Sequence, residues 1–273
     1  MAMLLSSDEN HAAAPKLPVD RFLSVTSGNG IFVALGESGA LITSSDGEGW
    51  SQQSSGTRDV LLGVTFGNGL FVAVGGAGTI LTSSDGVAWT KRDSGTVALL
   101  GSVVHGSGSF VAVGNGPERG IILTSDDGTT WTDHSPTNPA RTWLRDVTYG
   151  KGIFVTIGYE GESLEAATWV STDGATWNWQ RLGTAASLHR ITFGNDRFLA
   201  VGTNGQGELM TLTSLNGMDW TRQNLQSSQW INDLAFGAGL FLAVGTEFGQ
   251  NSIFSAAGSA AFRIAIFRGG KSE

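Results

Sequence analysis

Apolar residues recur along the chain in short runs that end in glycine. The run Phe71-Val72-Ala73-Val74-Gly75 has equivalents that begin at Phe32, Phe110, Phe154, Phe198 and Phe241. Successive side chains of a strand point to opposite faces, so a run that is apolar throughout predicts a strand buried on both faces. A second apolar run, such as Leu61–Phe66, precedes each one across a glycine-rich turn. The chain is therefore predicted to consist of repeated β-hairpins.

The repeat has a period of about 40 residues. Its reference position is the apolar residue near the end of each first strand, found at Val25, Val64, Val103, Val147, Ile191 and Leu234. In the second unit, Thr79–Thr82 predicts a third strand, and Trp89 begins a more polar fourth strand. Four strands at this period are typical of a propeller blade. We predict an all-β fold, a six-bladed β-propeller of four-stranded antiparallel blades.

A heptad with the pattern Ser-x-Asp/Asn-Gly-x-x-Trp closes five of the units. An aspartate or asparagine before glycine turns the chain sharply, and its side chain accepts nearby backbone donors. The tryptophan that follows is large enough to fill the gap between adjacent blades. We therefore assign these residues a structural role: Asp46 and Trp50, Asp85 and Trp89, Asp127 and Trp131, Asp173 and Trp177, Asn216 and Trp220.

These heptads resemble the Asp-box, or BNR, repeats of sialidases, some glycoside hydrolases, sortilin-type receptors and photosystem II assembly factors. The resemblance covers residues 21 to 270. The Gly-Asn-Gly turns and Phe-Val-Ala-Val-Gly strands are most similar to bacterial propellers grouped with the photosystem II assembly factors. The resemblance implies the propeller fold, and it is compatible with several roles.

The two ends of the repeat are irregular. In the sixth unit, Ser255–Gly258 lacks the acid, and Phe262 stands near the tryptophan's place. At the start of the chain, Leu4–Asp8 resembles Leu81–Asp85. We therefore divide the chain into residues 1–20, a candidate ring-closing strand, and residues 21–273, a single propeller domain. A ring of seven blades, one of them incomplete and built from both termini, is the alternative.

Charge and composition limit the choice of partner. The net charge of -8 and the presence of four lysines disfavour nucleic acid, which requires clustered cations. No long apolar run predicts a membrane span, and Met1–Asn10 has no signal-peptide pattern. We predict a soluble monomer without cofactor or metal. The compartment stays open, since a leader for secretion or for the periplasm could have been removed.

The loops that vary in length emerge at one end of the ring, where the first strands begin beside the central channel. Variable loops on a rigid scaffold are a common place for binding residues. The two positions before the reference residue are apolar, glycine or serine in blades 1 to 3. In blades 4 to 6 they are Arg145-Asp146, His189-Arg190 and Asn232-Asp233. We predict a ligand site at this half of the channel mouth, with an ion-pair network that seals the ring as the structural alternative.

Three aromatic residues extend the candidate site. Trp143 and Trp230 lie two residues before Arg145 and Asn232, where they either offer flat faces to a ligand or pack between blades. Tyr159 lies in one of the variable loops. We predict a non-enzymatic binding propeller for a glycan or a protein segment, and we assign no catalytic residue.

Two alternatives use the same face of the ring. The first is a carbohydrate-active hydrolase or lyase with its pocket at the channel mouth, in which His189 acts with Asp146 or Asp233 as acid and base. The same three residues could instead hold a divalent metal ion. The second alternative is a protein-complex assembly factor, as the resemblance to the photosystem proteins implies.

Overall fold

The computed structural model describes residues 21–136, 141–161, 165–223, 230–237, 239–247 and 250–257. Its first three sheets have four antiparallel strands each, hydrogen-bonded in chain order, and form blades 1 to 3. Their strands are β1 (Phe22–Gly28), β2 (Ile31–Gly36), β3 (Leu41–Ser44), β4 (Ser51–Gln52), β5 (Leu61–Gly67), β6 (Leu70–Gly75), β7 (Ile80–Ser83), β8 (Thr90–Arg92), β9 (Leu99–Gly106), β10 (Ser109–Asn115), β11 (Gly120–Ser125) and β12 (Thr132–Asp133).

Blades 4 and 5 share one long strand, β16, whose first half pairs with β15 and whose second half pairs with β17. Gly183, with a φ of 64°, lies at the register shift between Arg181 and Ala185, within the part that pairs with β15. Among the described residues, blade 6 has three strands. The strands of these blades are β13 (Thr142–Gly150), β14 (Ile153–Glu160), β15 (Glu165–Ser171), β16 (Asn178–Gly194), β17 (Arg197–Asn204), β18 (Leu209–Ser214), β19 (Trp220–Gln223), β20 (Trp230–Gly237), β21 (Leu240–Glu247) and β22 (Gln250–Ala257).

The innermost strands form the wall of the central channel. Each contacts the next in the order β1, β5, β9, β13, β16 and β20. The predicted six-bladed β-propeller is confirmed. The proposed ring-closing segment, residues 1–20, and the decayed heptad from residue 258 onward lie outside the described residues. No helix in the described part of the chain has the length and hydrophobicity needed to span a bilayer.

All five heptads form the same hydrogen-bonded turn. In the second, Asp85 Oδ1 accepts hydrogen bonds from Ser83 Oγ and from the backbone N–H groups of Val87 and Ala88, each at 2.9 Å. Trp89 Nε1 donates to the carbonyl oxygen of Gly86 at 2.8 Å. Gly86 has a φ of 74°, a conformation that favours glycine. The equivalent bonds occur in the heptads of Asp46, Asp127, Asp173 and Asn216.

The hydrophobic core is divided into clusters that lie between neighbouring blades. Between blades 1 and 2, for example, Val33 and Leu35 pack with Phe71 and Leu81, and Trp89 packs against their edge. Similar clusters join blades 2 and 3, blades 3 and 4, and blades 4 and 5. The second and third strands of blades 2 and 3 are covered on both sides, which agrees with their runs of successive apolar residues.

In blades 1 to 5, a glycine at the end of the first strand receives an aromatic ring from the next blade. A Cβ atom on Gly150 would lie 2.1 Å from the ring of Phe193, so only glycine fits. The ring is held in turn by Phe198 on the following strand, with centroids 4.9 Å apart. The contact recurs at five junctions, as Gly28–Phe66, Gly67–His105, Gly106–Tyr149, Gly150–Phe193 and Gly194–Phe236. We call it the glycine–aromatic contact.

Substitution of alanine for Gly150 tests this contact. The added Cβ would overlap the Phe193 ring, so we expect a loss of about 1–3 kcal/mol in the free energy of unfolding. The measurement is the urea midpoint at an unchanged m value. Gly101→Ala is the control, because its Cβ would meet only the carbonyl oxygen of Arg145, at 3.5 Å. Equal midpoints for the two variants would contradict the expectation.

Candidate functional site

Every blade carries a β-bulge at the same place on its first strand, at the mouth of the channel. The register skips one residue there, namely Leu23, Leu62, Gly101, Arg145, His189 or Asn232. A bulge changes the direction in which a side chain points. Since all six blades have the bulge, the bulge belongs to the fold. What is specific to blades 4 to 6 is that the skipped residue is polar.

Asp146 holds three blades together at this level. Its Oδ1 accepts hydrogen bonds from Ser102 Oγ of blade 3 at 2.7 Å and from the backbone N–H of Val147 at 3.0 Å. Its Oδ2 accepts one from the backbone N–H of Ile191 in blade 5, at 2.9 Å. Burial raises the pKa of Asp146, and the charge of Arg190 opposes that rise. Both carboxylate oxygens are therefore engaged inside the protein.

Arg190 contributes to the contact between blades 5 and 6. Its Nε atom lies 3.4 Å from Asp233 Oδ1, and its Nη1 donates to the carbonyl oxygen of His189 at 2.9 Å. Both charged side chains of the pair are partly exposed, so the pair contributes at most about 1 kcal/mol. This pair is one link of the predicted ion-pair network between blades. Among the described residues, Arg145 forms no ion pair and so is not part of that network.

Arg145 instead belongs to a stack of four side chains on blade 4, which we call the arginine stack. The rings of Trp143 and Tyr159 lie 5.2 Å apart with 18° between their planes. The guanidinium of Arg141 lies over Trp143 at 5.9 Å, and that of Arg145 lies over Tyr159 at 5.5 Å. Arg145 Nη2 also contacts Tyr159 Oη at 3.5 Å. Two cations thus lie over an aromatic pair, a favourable arrangement.

His189 connects the arginine stack with Arg190. Burial lowers its pKa to about 4, and the charges of Arg145 and Arg190 act in the same direction. The imidazole is therefore neutral at pH 7, and Arg145 lies close enough to affect it. Neutral His189 adds no positive charge to the mouth, so the positive charge there comes from arginines.

A cleft of about 520 Å³ opens beside these residues, where blade 6 meets blade 1. It is lined by His189 and Arg190 of blade 5, by Asn232 and Asp233 of blade 6, and by residues 21–25 of blade 1. The cleft therefore unites four of the nine candidate residues. Trp143, Arg145 and Tyr159 belong to the arginine stack next to it, and Asp146, which is partly buried, is hydrogen-bonded to the blades on either side. The side chain of Trp230 lies outside the described residues.

Sequence reasoning missed three residues of this region. Arg141 precedes Trp143 by two positions, with buried Thr142 between them. The two-residue period of a β-strand therefore indicates that Arg141 lies on the same face as Trp143. The sequence places Ser102 in the half of the channel mouth that has no charged residues, but its Oγ donates a hydrogen bond to Asp146. Arg21 lines the cleft because the ring brings the start of β1 next to β20, and no local pattern could indicate that.

The residues proposed as a metal site do not come together as one. In the described parts of the chain there is no group of three or more histidine, aspartate or glutamate side chains that could hold a metal ion. Asp146 uses its oxygens for internal hydrogen bonds, and Asp233 faces Arg190. His189 is flanked by arginines, which would oppose a bound cation.

Solved structures with the same fold are found by comparison. A structure described as YCF48 bound to D1 peptide matches with a TM-score of 0.64 and 18% identity, over 88% of this chain and 78% of that one. This chain therefore shares the β-propeller fold of that structure. The match confirms the predicted similarity to the photosystem II assembly-factor propellers at the level of the fold.

Two further structures agree with this assignment. A chain of the nidogen/laminin complex matches with a TM-score of 0.60 and 11% identity, over 84% of this chain and 89% of that one. A prolyl endopeptidase matches with a TM-score of 0.58 and 12% identity over 87% of this chain, which spans only 41% of that enzyme. No protein-family model and no curated protein sequence matches the chain. At these identities the similarity establishes the fold alone.

The charge of Arg145 can be measured through His189. In Arg145→Gln one of the two arginine charges that lower the pKa of His189 is removed, so that pKa should rise from about 4 toward its ordinary value of 6.5. NMR titration of the histidine rings measures it, and His105 serves as an internal reference. Arg58→Gln removes an exposed arginine between β4 and β5 and should leave His189 unchanged. A rise in both variants, or in neither, would contradict the assignment.

Proposed function

We propose that this protein is a non-enzymatic binding propeller that holds an acidic segment of a protein partner at its channel mouth. The observation that carries the proposal is the arginine stack. Arg141 and Arg145 are exposed, and among the described residues neither takes part in an ion pair. A carboxylate of a partner would supply the missing counter-ion through hydrogen bonds to a guanidinium.

The stack makes these arginines better suited to binding than free surface arginines. An arginine side chain loses rotamer freedom when it binds, which costs about 0.5–1.5 kcal/mol. The contacts with Trp143 and Tyr159 already hold the two guanidinium groups over flat rings. Part of that cost is therefore met before a ligand arrives. The fixed planes of the guanidinium groups also suit two-pronged contacts with a carboxylate.

The cleft offers a place for the rest of the segment. Phe22, Leu23 and Val25 give it an apolar wall, and Asn232 and Asp233 give it hydrogen-bonding groups. A mixture of apolar surface and a few directed polar groups is typical of binding sites. An acidic residue at the arginine stack, next to an apolar residue in the cleft, is therefore the pattern we expect in the partner.

The structural neighbours support a protein partner over other ligands. Two of them come from structures described as bound to a peptide or as a complex between proteins. A protein-complex assembly factor would be one form of this role. A glycan is less well supported, because the ring of Trp143 already packs between Tyr159 and Arg141. Hydrolase or lyase chemistry gains no support from Asp146, whose oxygens are engaged.

The proposal can be tested with a random peptide library displayed on phage. Selection on the intact chain should enrich peptides with an acidic residue near an apolar one. One enriched peptide, labelled with a fluorophore, then gives Kd by anisotropy. We expect Arg145→Gln to weaken Kd about tenfold or more, which corresponds to about 1.4 kcal/mol, and we expect added salt to weaken binding to the original chain.

Arg58→Gln is the matched control, since it removes the same charge from a loop between blades 1 and 2 and should leave Kd unchanged. Enrichment of peptides without acidic residues would overturn the proposal. Equal losses for Arg145→Gln and Arg58→Gln would also overturn it, because they would show that only net charge matters.

A further inference from the structure

One of the five glycine–aromatic contacts is made by a ring that can carry a charge. At the junction of blades 2 and 3 this ring is His105, whereas the other four contacts use phenylalanine or tyrosine. A Cβ atom on Gly67 would lie 2.0 Å from Cγ of the imidazole. The ring of Phe110 packs against the imidazole, with centroids 4.7 Å apart. His105 therefore takes the place of a neutral aromatic ring between two blades.

The strands next to this ring supply no counter-charge. On the side of blade 2, β5 and β6 contain no titratable residue, and neither does β10, which pairs with β9 in blade 3. Blade 4 packs on the other side of β9, where β13 carries Arg145, Asp146 and Tyr149. Of these, Asp146 is hydrogen-bonded to Ser102, and Tyr149 packs on the glycine that follows His105.

The heptad turn of blade 3 carries the remaining charges near this end of β9. Asp126 accepts a hydrogen bond from Ser109 Oγ at 2.5 Å. Asp127 accepts hydrogen bonds from the backbone N–H groups of Thr129 and Thr130. Burial, rather than a neighbouring charge, lowers the pKa of His105 below its ordinary value of 6.5.

The two ring nitrogens of His105 differ in their surroundings. Nε2 is buried and has no hydrogen-bond partner among the described residues. The hydrogen bond with the backbone of Gly108, which raises the pKa in part, therefore involves Nδ1. Nε2 is then the atom that takes up the second proton when the ring becomes charged. A buried N–H without an acceptor is costly, and so is a buried charge without a partner.

The lowered pKa ties the stability of this junction to pH. When the junction opens, water reaches the ring and the pKa of His105 returns toward 6.5. The open form therefore binds a proton more readily than the closed form. The stability that the neutral ring contributes is complete above pH 6.5 and is lost as the pH falls from there toward the lower pKa of the closed form. One proton changes the equilibrium by up to about tenfold for each pH unit.

The strand that carries His105 also reaches the channel mouth. Ser102 lies three residues earlier on β9, and its Oγ donates to Asp146 Oδ1 of blade 4 at 2.7 Å. Movement of β9 away from blade 2 therefore acts on the strand that supports this part of the channel wall.

We propose that His105 is an acid-sensitive switch in the ring: a proton on its imidazole opens the junction between blades 2 and 3, while the contacts built on phenylalanine or tyrosine stay closed. The observation that carries the proposal is the imidazole packed on Gly67 between strands that carry no charge. His189 also titrates in acid, since its pKa is about 4, but its ring makes no glycine–aromatic contact. The inference is independent of the proposed ligand.

Hydrogen exchange of the intact chain tests the switch. His105→Phe introduces the ring that three of the other contacts already use. Protection factors, which are corrected for intrinsic exchange, are compared at about pH 7.5 and about pH 5. On acidification the amides of β5 and β9 should lose protection about threefold or more in the original chain relative to His105→Phe. The amides of β21, in blade 6, should change equally in both proteins.

His134→Phe is the matched control, because it replaces a histidine that lies just after β12 and outside the glycine–aromatic contacts. It should keep the acid response of the original chain. An equal loss of protection in the original chain and in His105→Phe would overturn the proposal. A difference between these two proteins that is as large in β21 as in β9 would also overturn it, because the opening would then not be confined to one junction.

NMR titration of the His105 ring in the original chain is a second measurement, and it does not depend on the folding of a variant. The ring should titrate below pH 6.5. Titration at or above that value would overturn the proposal, since the closed junction would then not disfavour the charged ring.

Discussion

The contact between an aromatic ring and a glycine of the preceding blade is the constraint on which the rest of the ring depends. The ring atoms occupy the volume in which any side chain on that glycine would begin, at 2.0 to 2.1 Å from its Cβ position. Neighbouring first strands can therefore approach closely, and each first strand lies beside the next one around the channel. The bulge residues lie on the same strands a few positions earlier, so the contact that joins the blades also positions the channel mouth.

The backbone of the first strand is alike in all six blades, and the site arises from differences between the side chains that this backbone carries. The bulge occurs in all six blades, and Ser24 and Asp146 both accept a hydrogen bond from the reference residue of the next blade. In blade 1 a hydroxyl performs this role, and in blade 4 a carboxylate performs it. The change to Asp146 brings a charge into the wall, and the chain places Arg190 close enough to offset it. Function can be added in this way without any change of fold.

The sequence allowed the blades and strands to be predicted well, since they repeat. The first strand of blade 2 was expected at Leu61–Phe66 and spans Leu61–Gly67. The partners of single side chains were harder to predict. Arg145 is adjacent to Asp146 in sequence, but it stacks on Tyr159 because the bulge turns it away from that carboxylate. Strand β16 continues without a break from blade 4 into blade 5, and this continuity depends on local pairing that the repeat does not encode.

The direction of the pKa shifts explains why positive charge remains at the mouth of an acidic protein. The heptad aspartates lie at the surface, where backbone N–H groups and neighbouring hydroxyls lower their pKa. Those carboxylates are satisfied locally, and in the described part of the chain none of them forms an ion pair with an arginine. Asp146 is satisfied by Ser102 and by backbone donors. Asp233 is paired with Arg190, and Glu160, which follows Tyr159 on β14, is paired with Arg181. Arg141 and Arg145 keep their charge exposed, although the chain as a whole carries -8. A local field opposite in sign to the net charge favours an acidic partner at that one place on the surface.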